Sequence, residues 1–222
     1  MIGKGKSISH GVAALEYDLA KEIDGQAAAT EIARHELYGC TGAEMVQEMK
    51  PYHIDFPNVK NNCLRFEVSP SIEESATFTD ADWAELGNDF MQRMGLANHQ
   101  YIIIRHSGTE SKKEQAHLHI LANRVSLSGE LYRDNWIGKK ATEAANAIAK
   151  ERNFVQSQDI GKVNKAEIKE AMDGVLKKMQ GFDFTKFKEE LGKRGFKVRE
   201  ARASTGKLNG YYVTARSGTE YK

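Results

Sequence analysis

The sequence predicts an α+β fold, in which a central antiparallel sheet carries helices mainly on one face and leaves the other face open. Two apolar, β-branched segments, residues 100–105 and 116–125, are separated by a polar loop, which is typical of a hairpin. Long segments with helical apolar spacing stand between the strand-like segments. Alternating residues near the end of the chain predict a second hairpin.

The first half of the chain is expected to supply the outer strands and two helices. Thr79, followed three residues later by Asp82, resembles a helix N-cap, and an apolar stripe then runs as far as Gly95. The expected elements are strands at 6–9 and 63–69, a helix at 11–22, a helical or irregular stretch at 27–49, a loop around Pro51 and Pro57, and the helix after Thr79.

The second half is expected to be helical until the closing hairpin. Asn164 and Glu167 have capping-box spacing, and Asp183 is placed to cap the next helix. The expected elements are helices at 135–152, 164–180 and 184–193, and a basic hairpin of residues 196–202 and 210–216 that turns around 205–207.

Composition places the chain among globular proteins. Its 222 residues, 40% of them hydrophobic, can bury a sizeable core as one large domain or two small ones. There is no apolar run near the ~20 residues that span a bilayer, and the first residues lack a secretory apolar segment. Two cysteines, Cys40 and Cys63, without a CxxC motif favour free thiols. We therefore expect a cytoplasmic protein.

The charge is unevenly distributed along the chain. The net charge is only +1, but residues 161–222 contain 15 Lys and Arg against 8 Asp and Glu, which leaves 17 against 23 for residues 1–160. The basic third is thus a candidate surface for tracking phosphates, although such an excess is also common on ordinary solvated helices.

Three histidines converge in the predicted central hairpin. Residues two apart in a strand face the same side, so His117 and His119 project together, and His106 ends the partner strand. Three neutral imidazoles that leave coordination positions open suit a catalytic divalent cation. The alternative is that each histidine is an ordinary core or surface residue.

These histidines also carry a resemblance to a known family. His106, followed after the loop by the sequence HLHILANRV from His117, resembles the third motif of relaxases, the mobilisation nucleases of the HUH endonuclease class. The sequence GKGKSISHG, which leads into Ala-Leu-Glu-Tyr17, is similar to the first motif of the family, and FEVSP from Phe66 is similar to the second. The three motifs stand in the family's order.

The resemblance implies transesterification on single-stranded DNA at an origin of transfer, for plasmid or transposon mobilisation. Tyr17 would be the nucleophile that forms a 5′-phosphotyrosyl intermediate, and Mg²⁺ or Mn²⁺ would be bound by His106, His117 and His119. A free phenol is mostly protonated at neutral pH, so it needs a base or a nearby cation. Alternatively Tyr17 packs on the apolar stripe of its helix, with Tyr38 and Tyr52 as fallback nucleophiles.

Four further residues are candidate DNA contacts. An arginine binds phosphate bidentately, a hydroxyl at a strand end donates to phosphate, and Asn123 shares the strand face of the paired histidines. Three of them also have a structural alternative: Arg65 as a surface strand residue, Ser69 in a turn, and Arg124 paired with a carboxylate. The candidates are Arg65, Ser69, Asn123 and Arg124.

Two glutamates in the hairpin loop are candidates to orient a metal-bound imidazole. Many relatives have an acidic residue two positions after the first histidine of the third motif, where this chain has Gly108. Glu110 and Glu114 follow, and either could take that role. The alternative is a solvated loop, since Lys112 and Lys113 lie between them.

As a whole, the chain is expected to be a single relaxase domain over residues 1–222, with a catalytic core at 1–160 and a basic helical and hairpin extension at 161–222. Because relaxases are usually longer, we expect it to be truncated from a larger mobilisation protein. Its expected partners are the origin DNA, accessory mobilisation proteins and a coupling protein. The alternatives are a rolling-circle replication initiator, a DNA-binding module with a structural metal and no nicking, or a phosphoesterase for small substrates.

Overall fold

The computed structural model describes residues 1–108, 115–216 and 218–222, and it contains two compact units, Met1–Ser157 and Gln158–Lys222. The strands of the first unit are β1 (Ile2–Ile8), β2 (Glu22–Ile23), β3 (Gln26–Ala27), β4 (Ala29–His35), β5 (Cys63–Ser69), β6 (His99–His106) and β7 (His117–Ser126). Its helices are α1 (Gly11–Leu19), α2 (Gly42–Met49), α3 (Ile72–Ser75), α4 (Asp80–Arg93) and α5 (Ile137–Glu151), and a 3₁₀ turn covers Lys50–His53.

A five-stranded antiparallel sheet forms the centre of this unit, and the predicted α+β class is confirmed. The strand order is β1-β5-β7-β6-β4, so the two strands of the histidine hairpin lie side by side and β7 is the middle strand. Both are almost fully buried, which explains why their sequences read as apolar runs. The sheet is therefore a rigid base for side chains near the ends of β6 and β7.

The two long helices α4 and α5 pack on one face of the sheet. Trp83, Leu86 and Phe90 of α4 meet alternate residues of β5, β6 and β7 in a single buried cluster. A β-carbon at Gly3 would collide with the backbone of Ala141, so the glycine lets α5 lie directly against β1. Thr79 caps α4 in a capping box with Asp82, as the sequence predicts.

The shorter helices α1 and α2 pack on the other face. Leu15, Met45 and Met49 form a second buried cluster with Cys63 and Leu121 of the sheet. This layer covers only part of the face, so the strand positions toward β1 stay accessible. The open face that the sequence predicts is thus reduced to a groove beside α1.

Two predicted elements are wrong in detail. Residues 27–49 contain the edge strand β4, whose small and charged side chains are only half-buried and give a weak strand pattern. The helix predicted to begin at Asn164 begins at Ser157 instead. Asn164 is buried within that helix and donates a hydrogen bond to the Tyr221 hydroxyl at 3.0 Å, so it does not act as a cap.

The second unit comprises α6 (Ser157–Leu176), α7 (Phe184–Lys193) and the strands β8 (Lys197–Arg202), β9 (Leu208–Thr214) and β10 (Glu220–Tyr221). The strands form an antiparallel sheet in the order β10-β9-β8, which includes the predicted closing hairpin. Phe187, Leu191 and Phe196 lie in its buried cluster. Asp183 caps α7, as predicted.

Across both units, no described helix is long and apolar enough to cross a bilayer.

The two cysteines differ in environment, which predicts different reactivity. Cys63 is fully buried under α1, and burial raises the pKa of its thiol to about 11, whereas Cys40 is exposed.

A thiol-reactive chromogenic disulfide at pH 8 is expected to modify one cysteine per native chain and two after denaturation. Cys40→Ser should abolish the native reaction, and rapid modification of both native thiols would contradict the predicted burial.

Candidate metal and nucleophile site

The register of β6 and β7 brings the three predicted histidines together. His106 lies directly opposite His117, and His119 follows two residues later on the same face of the sheet. One ring nitrogen from each imidazole lies within 4.8 Å of the others. The triad therefore consists of one cross-strand pair and one neighbour along the strand.

The hydrogen bonds of the rings determine which nitrogens point into the triad. His106 Nε2 lies 2.8 Å from the Asp18 carbonyl oxygen, and His117 Nδ1 lies 3.0 Å from that of Gln115. A carbonyl only accepts, so both of these nitrogens carry hydrogen. The lone pairs of neutral rings are then on Nδ1 of His106 and Nε2 of His117, and these atoms can serve as ligands.

His119 completes the triad, and its two nitrogens have different neighbours. Its Nε2 lies 3.1 Å from His117 Nε2, while its Nδ1 lies 3.4 Å from Arg65 Nη2 and 3.8 Å from Asp18 Oδ1. Nδ1 accepts from Arg65 when Nε2 carries the hydrogen, whereas the Asp18 carboxylate lies beyond hydrogen-bond distance of the ring. Arg65 and Asp18 thus lie beside the nitrogen of His119 that points away from His117.

A buried ion pair supports the triad from the side of α1. Arg65 holds the Asp18 carboxylate with two nitrogens, Nε at 3.1 Å from Oδ2 and Nη2 in contact with Oδ1. The Asp18 side chain is 2% exposed and that of Arg65 is 19% exposed. Burial raises the pKa of Asp18, while the guanidinium opposes that rise. The pair thus joins α1 to β5 and β7.

Burial keeps two of the imidazoles neutral. It lowers the pKa of His106 to about 4 and that of His119 to about 2, and the neighbouring imidazoles act in the same direction. A neutral imidazole is the form that ligates metal. The 3.1 Å between His117 Nε2 and His119 Nε2 is also near the spacing of two ligands about 2.1 Å from one ion. The residues present therefore fit a divalent cation.

Tyr17 lies on α1, one residue before Asp18. The buried stripe of the helix comprises Gly11, Ala14, Leu15 and Asp18, so Tyr17 is off the stripe and 59% exposed. The ammonium of Lys21 lies 5.7 Å from the centre of its ring. The alternative that Tyr17 packs into the core therefore does not describe its position.

A groove of about 220 Å³ opens beside the triad on the same face of the sheet. Lys4 lies opposite Glu67, which lies opposite His119, and Lys6 lies opposite Arg65. The Lys4 ammonium pairs with Glu67 at 2.9 Å and stays 64% exposed. The groove thus presents cationic side chains next to the imidazoles, which suits a phosphate chain.

Comparison with known proteins decides the family. The sequence model for "Relaxase: MobA/VirD2-like, nuclease domain" matches residues 17–154, which is more than half of the chain. The chain belongs to this relaxase family. No curated protein matches it.

Solved structures of the conjugative relaxase TrwC in complex with oriT DNA are distantly similar to this relaxase. A metal-free and a metal-bound structure share 10% and 12% sequence identity with it, each with a TM-score of 0.41. A copper-bound structure shares 13% identity with a TM-score of 0.39. Each match covers 94% of this chain, and 74–75% of the TrwC chain is covered.

The other predicted contact residues of the relaxase are engaged by protein groups. Asn123 is fully buried, where its amide donates to Met49 O and Gln100 Oε1 and accepts from Val125 N and His53 Nε2. Ser69 is buried, and its hydroxyl accepts from Gln115 Nε2 at 3.3 Å. These two side chains lie on the histidine face of the sheet but bind its neighbouring loops and strands.

Arg124 lies on the opposite face and ties two loops to β7. Its guanidinium donates to Tyr132 O, Asn61 O and the Asp134 carboxylate, the last at 2.6 Å. Of the two alternatives that the sequence leaves open, pairing with a carboxylate describes the bonds that it makes here.

Two predicted residues lie outside the described part of the chain. Glu110 and Glu114 fall in the undescribed segment 109–114.

Asp18 is important for the site but was not predicted from the sequence, although it stands on the apolar stripe of a predicted helix, four residues after Ala14 and three after Leu15. A carboxylate on a buried stripe is rarely left without a partner, and this was the available signal.

The Arg65–Asp18 pair should be important for stability. Arg65→Ala would leave a buried carboxylate uncompensated, so the free energy of unfolding should fall by about 3–5 kcal/mol in urea denaturation. Adding Asp18→Asn to this variant should recover part of the loss.

Arg152→Ala is the matched control for that experiment, because Arg152 is 23% exposed but pairs with Glu85, which is 72% exposed. Its effect should stay within about 1 kcal/mol. Equal losses in the two arginine variants would show that the burial of Asp18 does not matter.

Proposed function

We propose that this chain is a site- and strand-specific DNA relaxase that nicks single-stranded DNA at an origin of transfer, in plasmid or transposon mobilisation, with Tyr17 as the nucleophile. The observation that carries the proposal is the bonding of Asp18. Its carbonyl accepts from His106 and its carboxylate binds Arg65 beside His119. The residue next to Tyr17 is thus anchored on two sides of the imidazole triad.

The proposed reaction exchanges one phosphodiester for another. The Tyr17 phenol oxygen attacks the scissile phosphorus, the new oxygen–phosphorus bond forms, and the bond to the 3′-oxygen breaks. The phenolic proton is lost and the departing 3′-oxygen gains a proton, so the products are a 5′-phosphotyrosyl enzyme and a 3′-hydroxyl. Because the phosphodiester is exchanged and not hydrolysed, the strand can later be rejoined.

His106, His117 and His119 are the proposed metal ligands, through Nδ1 of the first and Nε2 of the other two. A bound divalent ion, Mg²⁺ or Mn²⁺, would supply positive charge to a nonbridging phosphate oxygen as negative charge builds up there. Imidazole donors favour Mn²⁺ over Mg²⁺ in this pair, because Mg²⁺ prefers oxygen ligands. The chain's own part would be to orient the three rings, to shield them largely from water, and to keep those of His106 and His119 neutral.

Lys4, Lys6 and Arg65 are the proposed phosphate contacts, since they line the groove next to His119. Their charges would hold the strand while Tyr17 approaches the scissile phosphate. Asn123 and Ser69, whose side-chain groups are bound to the protein on the histidine face, would support the walls of the site, and Arg124 would hold two loops to β7 on the opposite face. The groove residues would thus provide the affinity for DNA, and the buried residues would keep the site in its shape.

The proposed enzyme uses residues 1–160 as its catalytic core and residues 161–222 as a basic extension of the same relaxase domain. The origin DNA would be its substrate, with accessory mobilisation proteins and a coupling protein as further partners. A rolling-circle initiator would use the same triad with another tyrosine, and a non-nicking module would bind DNA without a covalent step. A covalent adduct on Tyr17 would therefore distinguish the proposal from both alternatives.

Covalent adduct formation tests the proposal. Single-stranded oligonucleotides tiled across the DNA beside its own gene are incubated with the protein and Mg²⁺ or Mn²⁺ and run on a denaturing gel. We expect one oligonucleotide to form an adduct that a chelator abolishes. Tyr17→Phe should lower the adduct yield by more than about 10³-fold while leaving DNA binding intact.

Tyr38→Phe is the matched control, because Tyr38 is 76% exposed and lies in the loop between β4 and α2. It should form the adduct at the wild-type rate. An adduct that survives Tyr17→Phe, or that disappears in Tyr38→Phe, would refute Tyr17 as the nucleophile. Tight binding without any adduct would favour the non-nicking module.

A further inference from the structure

Trp136 is an exposed aromatic residue with an unfavourable backbone conformation. It immediately precedes α5, its side chain is 80% exposed, and its φ and ψ are 58° and 28°, in the left-handed region. A bulky residue is a genuine outlier there, and the conformation costs about 1–3 kcal/mol. Nothing in the fold calls for a tryptophan, because a glycine would adopt this backbone freely.

The surroundings of Trp136 are cationic. It lines a shallow cleft of about 290 Å³ with Lys139, Lys140 and Glu143. Glu143 is partly offset by Lys139, whose ammonium lies 3.8 Å away. Lysines in the first turn of a helix oppose its dipole, and this turn contains no acidic residue. The Lys140 ammonium donates to the Arg133 carbonyl at 2.7 Å and lies 4.9 Å from the centre of the Tyr132 ring, so a phosphate would have to share it with these groups. An exposed indole beside lysines is a combination that binds unpaired bases and their phosphates.

The start of α5 lies against the strand that lines the groove of the proposed active site. Gly138, two residues after Trp136, lies against Gly5, since a β-carbon on Gly138 would be 3.4 Å from the Gly5 carbonyl oxygen. Gly5 stands between Lys4 and Lys6 and lines the groove with them. β1 is the edge strand of the five-stranded sheet, so no other strand of that sheet separates the groove from the start of α5.

We propose that Trp136 is a stacking platform for an unpaired base of the DNA strand that lies in the groove. The phosphates of that strand would follow Lys4 and Lys6 over the edge of β1 and meet Lys139 and Lys140 on the other side. This proposal rests on the proposed function, because it takes single-stranded DNA as the ligand. It adds a binding site for a base away from the scissile phosphate.

Tryptophan fluorescence of the full chain reports directly on binding at Trp136. The chain has two tryptophans, and the other, Trp83, is 2% exposed in the core. Binding of a single-stranded thymidine oligonucleotide should quench the emission of Trp136, whereas Trp136→Phe, which retains only Trp83, should show no quenching. The same sequence as a duplex should quench little, because its bases are already stacked.

Affinity measured by the anisotropy of a labelled oligonucleotide gives the second readout. Trp136→Gly should weaken single-strand binding about 5- to 150-fold, the loss of one base–aromatic stack, and Trp136→Phe should lose less. The melting temperature of Trp136→Gly should stay equal or rise, because glycine removes the backbone strain. Tyr38→Ala, which removes a similarly exposed ring in the loop between β4 and α2, should bind DNA normally.

The outcomes separate this inference from the function on which it rests. If the wild-type chain binds the oligonucleotide and forms the Tyr17 adduct, but its emission is not quenched and Trp136→Gly binds within twofold of wild type, the stacking platform is wrong and the relaxase proposal stands. If the wild-type chain neither binds single strands nor forms an adduct, the proposed function fails and the inference fails with it.

Discussion

The pairing register of β6 and β7 is the constraint on which the rest of the site depends. It sets His106 opposite His117 and leaves His119 two residues further along the same face. Because side chains alternate between faces, a slip of one residue would turn His117 and His119 into the core on the other side. That slip would also place polar rings against the apolar residues of α4 and α5 and remove Leu118 and Ile120 from that core. The hydrophobic core on the α4 and α5 face therefore fixes the geometry of the imidazoles.

Asp18 extends this rigid frame to the helix that carries Tyr17. One residue meets the triad through two different groups, since its carbonyl accepts from His106 and its carboxylate lies between Arg65 and His119. Removing such a charge from water is unfavourable unless it is paired, so the residue is held where its partners are. Tyr17, one position earlier, remains free to face solvent. The arrangement combines a fixed triad with an accessible phenol, which the proposed role of Tyr17 as a nucleophile on a DNA strand would require.

The sequence was sufficient for some of these features and insufficient for others. Two-residue periodicity identified His117 and His119 as neighbours, and the apolar runs of β6 and β7 predicted their hairpin. β4 was not predicted, because this edge strand has only a weak alternation of apolar and polar residues. The start of α6 was misplaced because a capping pattern at Asn164 occurs within a helix. Asp18 was missed because its partners, Arg65 and His119, are 47 and 101 residues away in sequence, and no local spacing records a contact of that kind.

A crystal of the protein grown with Mn²⁺ and measured at the manganese absorption edge tests the proposed metal site. We expect one strong anomalous peak bonded to Nδ1 of His106 and to Nε2 of His117 and His119. We also expect the Nδ1 of His119 then to face the Asp18 carboxylate. A peak at another site, or none at the Mn²⁺ concentration that supports nicking, would contradict it. In that case the three imidazoles would be a structural part of the sheet, and the metal site would have to be sought elsewhere.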